Sequence, residues 1–380
     1  MKLNKVYSAL LLSALPISTI QAAGLDRSGQ SIQTFLQPRN YAEAGISVLD
    51  PEVKSTQLKV EDMAEDYYFP SAAIKIQATD NISVGLIYDQ PYGADSLYPV
   101  GNPVFSANNE ATGVEVKTHN ITALMGYQPT KNWNFYAGPV WQTVEADVKL
   151  RGLAYGHLSG YDVKVEEDEA FGWLAGVAYQ IPEIALKAAV TYRSEIKHKA
   201  DTTESFGFGT VPGNVVVGLP AGTTFTTPVI TPQSVNIDLQ SGIAVDTLAF
   251  ANIRWVHWDQ FSVAPYYLKA VSKNNLIDYS NDQWSANVGV GRKFNNKWSG
   301  SASVGYDSGA GNPVTTLGPT EGYWNVGLGA QYSPAENYFI QAGVKYFWLG
   351  DATAQTGGHP IGDFEDNHAM GYGMKIGYRF

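Results

Sequence analysis

The chain holds no cysteine, which removes disulfides, zinc–thiolate sites and thiol nucleophiles together. His119, His157, His198, His257, His359 and His368 are scattered without metal-like spacing. No Ser/His/Asp arrangement falls on adjacent positions of one face, so acyl-transfer chemistry has no visible carrier. No catalytic residue, metal or cofactor is expected. What recurs at regular spacing is charge. In segments that alternate apolar and polar residues, Lys75, Lys187, Arg193, Lys345, Lys375 and Arg379 fall on the polar face, against Glu43, Glu195 and Asp238. Lining a passage, such cations would hold an anionic head group such as a carboxylate. The bland reading is internal ion pairing, with Arg193 and Glu195 the expected pair.

These residues need strands to position them. The chain ends with Met370, Tyr372, Met374, Ile376, Tyr378 and Phe380 alternating with Gly371, Gly373, Lys375, Gly377 and Arg379. Strand side chains alternate with period two, so one face suits lipid and the other water. The same rule puts Ile184, Leu186, Ala188, Val190 and Tyr192, then Trp298, Ala302, Val304 and Tyr306, then Tyr338, Ile340, Ala342, Val344, Tyr346 and Trp348 outward. Phe339 and Phe347 break it, pointing inward. No segment of the mature chain reaches the run of about 20 apolar residues that a membrane helix needs. The pattern predicts an all-β fold, a transmembrane antiparallel β-barrel.

Fourteen strands are predicted, near 41–50, 71–79, 81–89, 114–127, 132–150, 170–180, 183–195, 234–244, 247–257, 283–292, 297–306, 322–332, 337–348 and 368–380. Tight links at 80–81, 129–131, 181–182, 245–246, 294–296 and 333–336 alternate with seven long connections, as a barrel with both termini on the periplasmic side requires. Residues 1–22 read as a signal peptide, with Lys2 and Lys5 before an apolar stretch and small residues Ala22 and Ala23 after it. Losing those two lysines takes the formal charge from -11 to -13, which argues against a nucleic-acid partner. The expected division is 1–22 signal peptide, 23–40 amino-terminal plug and 41–380 barrel in the bacterial outer membrane, most simply as a monomer among lipid and lipopolysaccharide.

Ser47–Val53, Gly172–Tyr179, Val190–Lys197, Pro232–Val235, Trp258–Phe261 and the carboxy-terminal strand resemble, in order, blocks of the FadL family of long-chain fatty acid transporters. The resemblance implies fourteen strands, a plugged lumen, uptake of fatty acids or similar hydrophobic molecules, and sideways release through a wall gap at the third strand. The stretch 23–40 lacks the family's usual Asn-Pro-Ala triplet and is shorter than the usual plug. Alignment adds Arg254 to the inward cations and sets Arg151 where the family has a pocket arginine. Arg151, Arg254 and Arg193 are therefore the expected head-group ligands, and Leu174, Phe250, Phe339 and Phe347 the expected apolar path.

Two further stretches stand out. Pro91 lacks a ladder donor and Gly93 permits unusual dihedrals, so the ladder is expected to break at Gln90, Pro91, Tyr92 and Gly93; Tyr92-Gly93 matches the family's kink. Phe206, Phe208, Val216 and Leu219 make the connection 197–233 too apolar for an idle loop, and a hydrophobic landing groove is expected there. Glu166–Glu169 reads as a solvated charge run in an outer loop. A general diffusion porin and a hydrocarbon uptake channel are the alternatives; the inward phenylalanines weigh against the porin. A barrel lipase or protease lacks its triad, and an added role as adhesin or phage receptor leaves no mark in the sequence.

Overall fold

The computed structural model describes residues 25–206, 209–211, 214–216 and 218–380; the expected signal peptide, residues 23 and 24, and Phe208 lie outside them. Fourteen staves close one barrel: β1 Tyr41–Glu52, β2 Tyr67–Gln77, β3 Ile82–Asp89, β4 Gly113–Tyr127, β5 Trp133–Leu150, β6 Tyr161–Ile181, β7 Leu186–Arg193, β8 Ser234–Ala244, β9 Thr247–Val256, β10 Gln283–Lys293, β11 Trp298–Asp307, β12 Tyr323–Ala335, β13 Tyr338–Leu349 and β14 His368–Arg379. Neighbours pair antiparallel, and β1 pairs with β14 from Tyr41↔Arg379 to Glu52↔His368. Closure leaves no free edge at the seam, which is what lipid demands.

The solvent that each face meets explains the pattern. Met374, Ile376 and Tyr378 are exposed to the membrane, whereas Lys375 between them is buried. Trp298, Val304 and Tyr306 likewise face out, as do Tyr338, Ile340 and Trp348, while Phe339 and Phe347 are wholly buried. Exposed aromatics form two belts: Tyr127, Trp133, Trp298 and Tyr378 near the short turns, and Trp173, Trp284, Tyr306 and Trp324 toward the outer ends of their strands.

The staves above the outer belt run further than the sequence pattern showed. β6 begins at Tyr161, so Glu166–Glu169 belong to a strand and not to a loop. The connection 197–233 is largely a tall hairpin, Ile196–Phe206 against Leu219–Thr231, topped by Gly209–Val211 and Asn214–Val216. One ion pair differs from the one expected: Glu195 pairs with Lys197 at 2.8 Å and not with Arg193. Inside the outer half, the loops fold into a core around Trp258, Tyr98, Phe105, Tyr161 and Phe347.

Candidate functional site

The third stave is broken. β3 pairs with β2 only as far as Ala72↔Tyr88. The chain resumes as a strand at Gly93–Leu97, which forms a ladder with β4 and on its other side meets residues 63–65, through an antiparallel bridge from Ser96 to Ala64, while the outer end of β2, residues 67–71, pairs only with β1. Pro91 has no N–H to continue a ladder. Gly93 has no room for a side chain, because a Cβ there would meet Tyr67 Oη at 1.9 Å.

The backbone groups freed at the break are taken up from inside the barrel. Arg27 N–H donates to Pro91 O at 2.8 Å and Gly93 N–H to Leu25 O at 2.9 Å, with an antiparallel bridge between Asp26 and Tyr92. Segment 25–40 is anchored in the lumen largely by the inward polar groups. Arg254 Nε donates to Asp26 Oδ2 at 2.7 Å, and its other nitrogens to Asn236 Oδ1 at 2.7 Å, Gln30 Oε1 at 3.1 Å and Ser234 Oγ at 3.2 Å. Ser28 Oγ donates to Asp89 at 2.5 Å. Lys75 and Lys187 donate to the carbonyls of Arg39 and Leu36, each at 2.9 Å. Phe35 packs its ring over Gly85 and Gly126, where small residues leave it space, and beside Tyr136 and Leu174.

The expected head-group trio divides. Arg193 and Arg254 are neighbours, close enough to influence each other's charge together with Asp89 and Tyr92. Arg193 Nη1 is buried and has no hydrogen-bond partner among the described residues. Arg151 stands apart in the outer loops, where Glu110 and Asp162 each hold it at 2.7 Å. Burial works against its charge, but those two carboxylates hold its guanidinium above the usual arginine value.

The expected apolar path divides too. Leu174 packs with Ile32 and Phe35, Phe347 lies in the outer core, and Phe339 stacks on Tyr41 with the Arg379 guanidinium 4.9 Å from its ring centre at the periplasmic end. Phe250 borders a cavity of about 100 Å³ that runs from Asn236, Asp238 and Asn287 past Ser28 and Thr34 to Pro70, Ser71, Tyr88 and Asp89 at the break. A second hollow of about 40 Å³ has wholly apolar exposed walls, with Val144, Val165, Val229, Trp258 and Phe261 around it. Leu25 and Tyr92, which line it, stand beside the break. Of the expected landing groove, Phe206 is buried beside Tyr267, Leu219 packs on the outer core and Val216 lies in the strand Asn214–Val216.

Residues 23–380 match the family model described as outer membrane protein transport protein (OMPP1/FadL/TodX). The chain belongs to this family. It is an integral outer-membrane β-barrel that transports hydrophobic compounds, and a channel rather than an enzyme. Among solved structures, a Pseudomonas aeruginosa FadL homologue is similar at 15% identity and TM-score 0.74, covering 96% of this chain and 98% of that one. The P. putida toluene transporter TodX follows at 13% identity and TM-score 0.65, with 91% of each chain covered. The Ralstonia pickettii toluene transporter TbuX stands at 12% and 0.64, covering 98% of this chain and 99% of its own. No curated protein matches the chain.

For this family member, the groups that sequence reasoning missed are Asp26, Ser28, Gln30 and Asp89. Asp26, Ser28 and Gln30 belong to no alternating pattern, Asp89 closes β3 on its inward face, and only the fold brings the first three against β3, β8 and β9. The fold also gathers His257, Asp259 and Asp282, histidine included, which the spacing did not show. His257 Nδ1 lies 2.9 Å from Asp282, whose other oxygen accepts from Trp255 Nε1, so the trio is hydrogen-bonded within itself.

Proposed function

We propose that this chain takes up long-chain fatty acids or similar hydrophobic molecules, binds them in the lumen with residues 25–40 as its plug, and releases them sideways into the bilayer between β2 and β3. The observation that carries the reading is the cavity ending at Pro70, Ser71, Tyr88 and Asp89, where β2 and β3 have parted. Sideways exit has a solvent reason. Each CH₂ kept out of water is worth about 0.8 kcal/mol, so a chain of about ten methylenes retains about 8 kcal/mol by entering lipid instead of the periplasm. The apolar hollow above the break is the waiting place for that chain.

Arg193 is the group we assign to an anionic head. It is buried beside the cavity residue Asp89 with a free Nη1, whereas Arg254 spends its donors on Asp26, Gln30, Ser234 and Asn236. A charge-assisted hydrogen bond there contributes about 1.5–3 kcal/mol, about ten- to a hundred-fold in affinity. Replacing Arg193 with Ala should weaken oleate binding by that factor and leave dodecane binding unchanged, with Arg151→Ala affecting neither. Equal loss of both ligands in Arg193→Ala would refute the assignment. A neutral-hydrocarbon channel is the second reading, favoured by the apolar walls of the upper hollow and by the toluene transporters among the similar structures. An open porin is disfavoured by Ile32, Phe35 and Leu36 buried in the lumen.

A further inference from the structure

The wall is interrupted a second time, between β6 and β7. Their ladder runs from Ile181↔Leu186 to Leu174↔Arg193, and Trp173 and Ser194 add two hydrogen bonds at 3.0 Å. Pairing resumes only at Val165↔Thr202 and ends at Tyr161↔Phe206. Between these points, 166–172 and 195–201 are equally long and form no ladder with each other. Each is still backed on its other side, Asp168 to Gly172 by β5 and Ile196 to Asp201 by the strand Leu219–Thr231. The interruption begins level with Pro232 and Gln233, where β7 also loses its ladder to β8 between Arg193↔Ser234 and Ile196↔Thr231. Pro232 has no N–H to give.

Side chains, not backbone, fill this slit. Ile196 is packed so closely on Gly172 that a Cβ there would lie 2.6 Å from Ile196 Cγ1. His198 is buried, with Nδ1 3.1 Å from Asp168 Oδ2 and Nε2 3.0 Å from Gln142 Oε1. That second contact passes beneath β6 to reach β5. Beside His198 and Ile196 on the neighbouring strand, their cross-strand partners Val229 and Thr231 line the apolar hollow, as does Val165 at the upper end of the slit. At the outer lip, Phe171 is 71% exposed and Trp173 stands in the outer aromatic belt.

We propose that this slit is a side entrance, through which a hydrophobic ligand lying at the outer surface of the membrane passes into the apolar hollow, with Ile196 and His198 as the latch. An exit and an entrance in one wall would face the bilayer at β2–β3 and its outer rim at β6–β7. Opening the slit breaks side-chain contacts and leaves the ladders on both flanks intact, so the barrel stays closed elsewhere. The proposal rests on the reading of the upper hollow as the ligand's waiting place.

The test uses the absence of native cysteine. In Phe171→Cys/Lys197→Cys, two positions exposed on the outer face of the slit, a cross-link should slow oleate uptake by cells at least threefold, and dithiothreitol should restore it. The cross-link Val177→Cys/Val190→Cys, within the paired part of the same two staves, should change nothing. Independently, His198→Ala in a barrel of normal heat-modifiable mobility should raise the initial uptake rate at least twofold. Unchanged uptake in the cross-linked slit variant overturns the proposal; where that pair does not oxidise, an unchanged rate in His198→Ala overturns it. Blocking the β2–β3 break in parallel separates the two claims: if that blockade slows uptake while the slit variants do not, only the entrance fails.

Discussion

Replacing Arg254 with Met should undock the amino-terminal segment without opening the barrel. Arg254 is 1% exposed and Asp26 0% exposed, so the substitution leaves a carboxylate buried with no cation, and Gln30 and Asn236 lose a donor as well. Removing one partner of a buried pair costs about 3–5 kcal/mol. At about 1.4 kcal/mol per tenfold, the undocked population should rise at least about a hundredfold. The loss reaches the break, because Leu25 and Arg27 supply the backbone partners of Gly93 and Pro91. Hydrogen–deuterium exchange of the purified protein should show residues 25–36 losing protection while β10 to β13 keep theirs, and single-channel conductance should rise. The double variant Asp26→Asn/Arg254→Met should regain part of the protection, since no bare charge remains. Unchanged exchange over 25–36 in Arg254→Met would refute the idea that this ion pair holds the segment in place.

Phe35→Ala removes a buried ring that fills the space over Gly85 and Gly126, a change worth about 3–5 kcal/mol in a packed core. It should raise leakage of small hydrophilic solutes through the barrel in a liposome-swelling assay, with unaltered heat-modifiable mobility. Gly93→Ala drives a Cβ into the Tyr67 ring and so displaces a residue that packs beside Phe69 and Arg27. Oleate uptake should fall severalfold, and the additional substitution Tyr67→Ala should recover part of it.

Legibility followed the solvent. Where one face meets lipid and the other water, alternation is enforced residue by residue, and all fourteen staves and six short turns could be read from it. Above the outer belt the enforcement ends. In Ile196–Phe206 the inward positions after Ile196 are His198, Ala200, Thr202 and Glu204, each buried, so a real strand carries no apolar stripe and reads as a loop. Glu166–Glu169 hid the outer half of β6 for the same reason. Charge partners were less legible still. The expected pairing of Arg193 with Glu195 ignores the interruption at Ser194 and Glu195, which hands Glu195 to Lys197. Asp26 meets Arg254 across 228 residues, a distance that no local pattern encodes. Arg151 carried a positional likeness, yet it serves the outer loops.

The central claim is sideways release at the break between β2 and β3, and a single cysteine at Ser71 tests it most directly. Ser71 is exposed, borders the cavity and has lost its partner on β3. Maleimides of increasing bulk on Ser71→Cys should slow the initial rate of oleate uptake in proportion to their size, while the same reagents on Val304→Cys, a lipid-facing position of β11, should leave it unchanged. Full modification of Ser71→Cys by the bulkiest reagent with no change in uptake would contradict release through this opening.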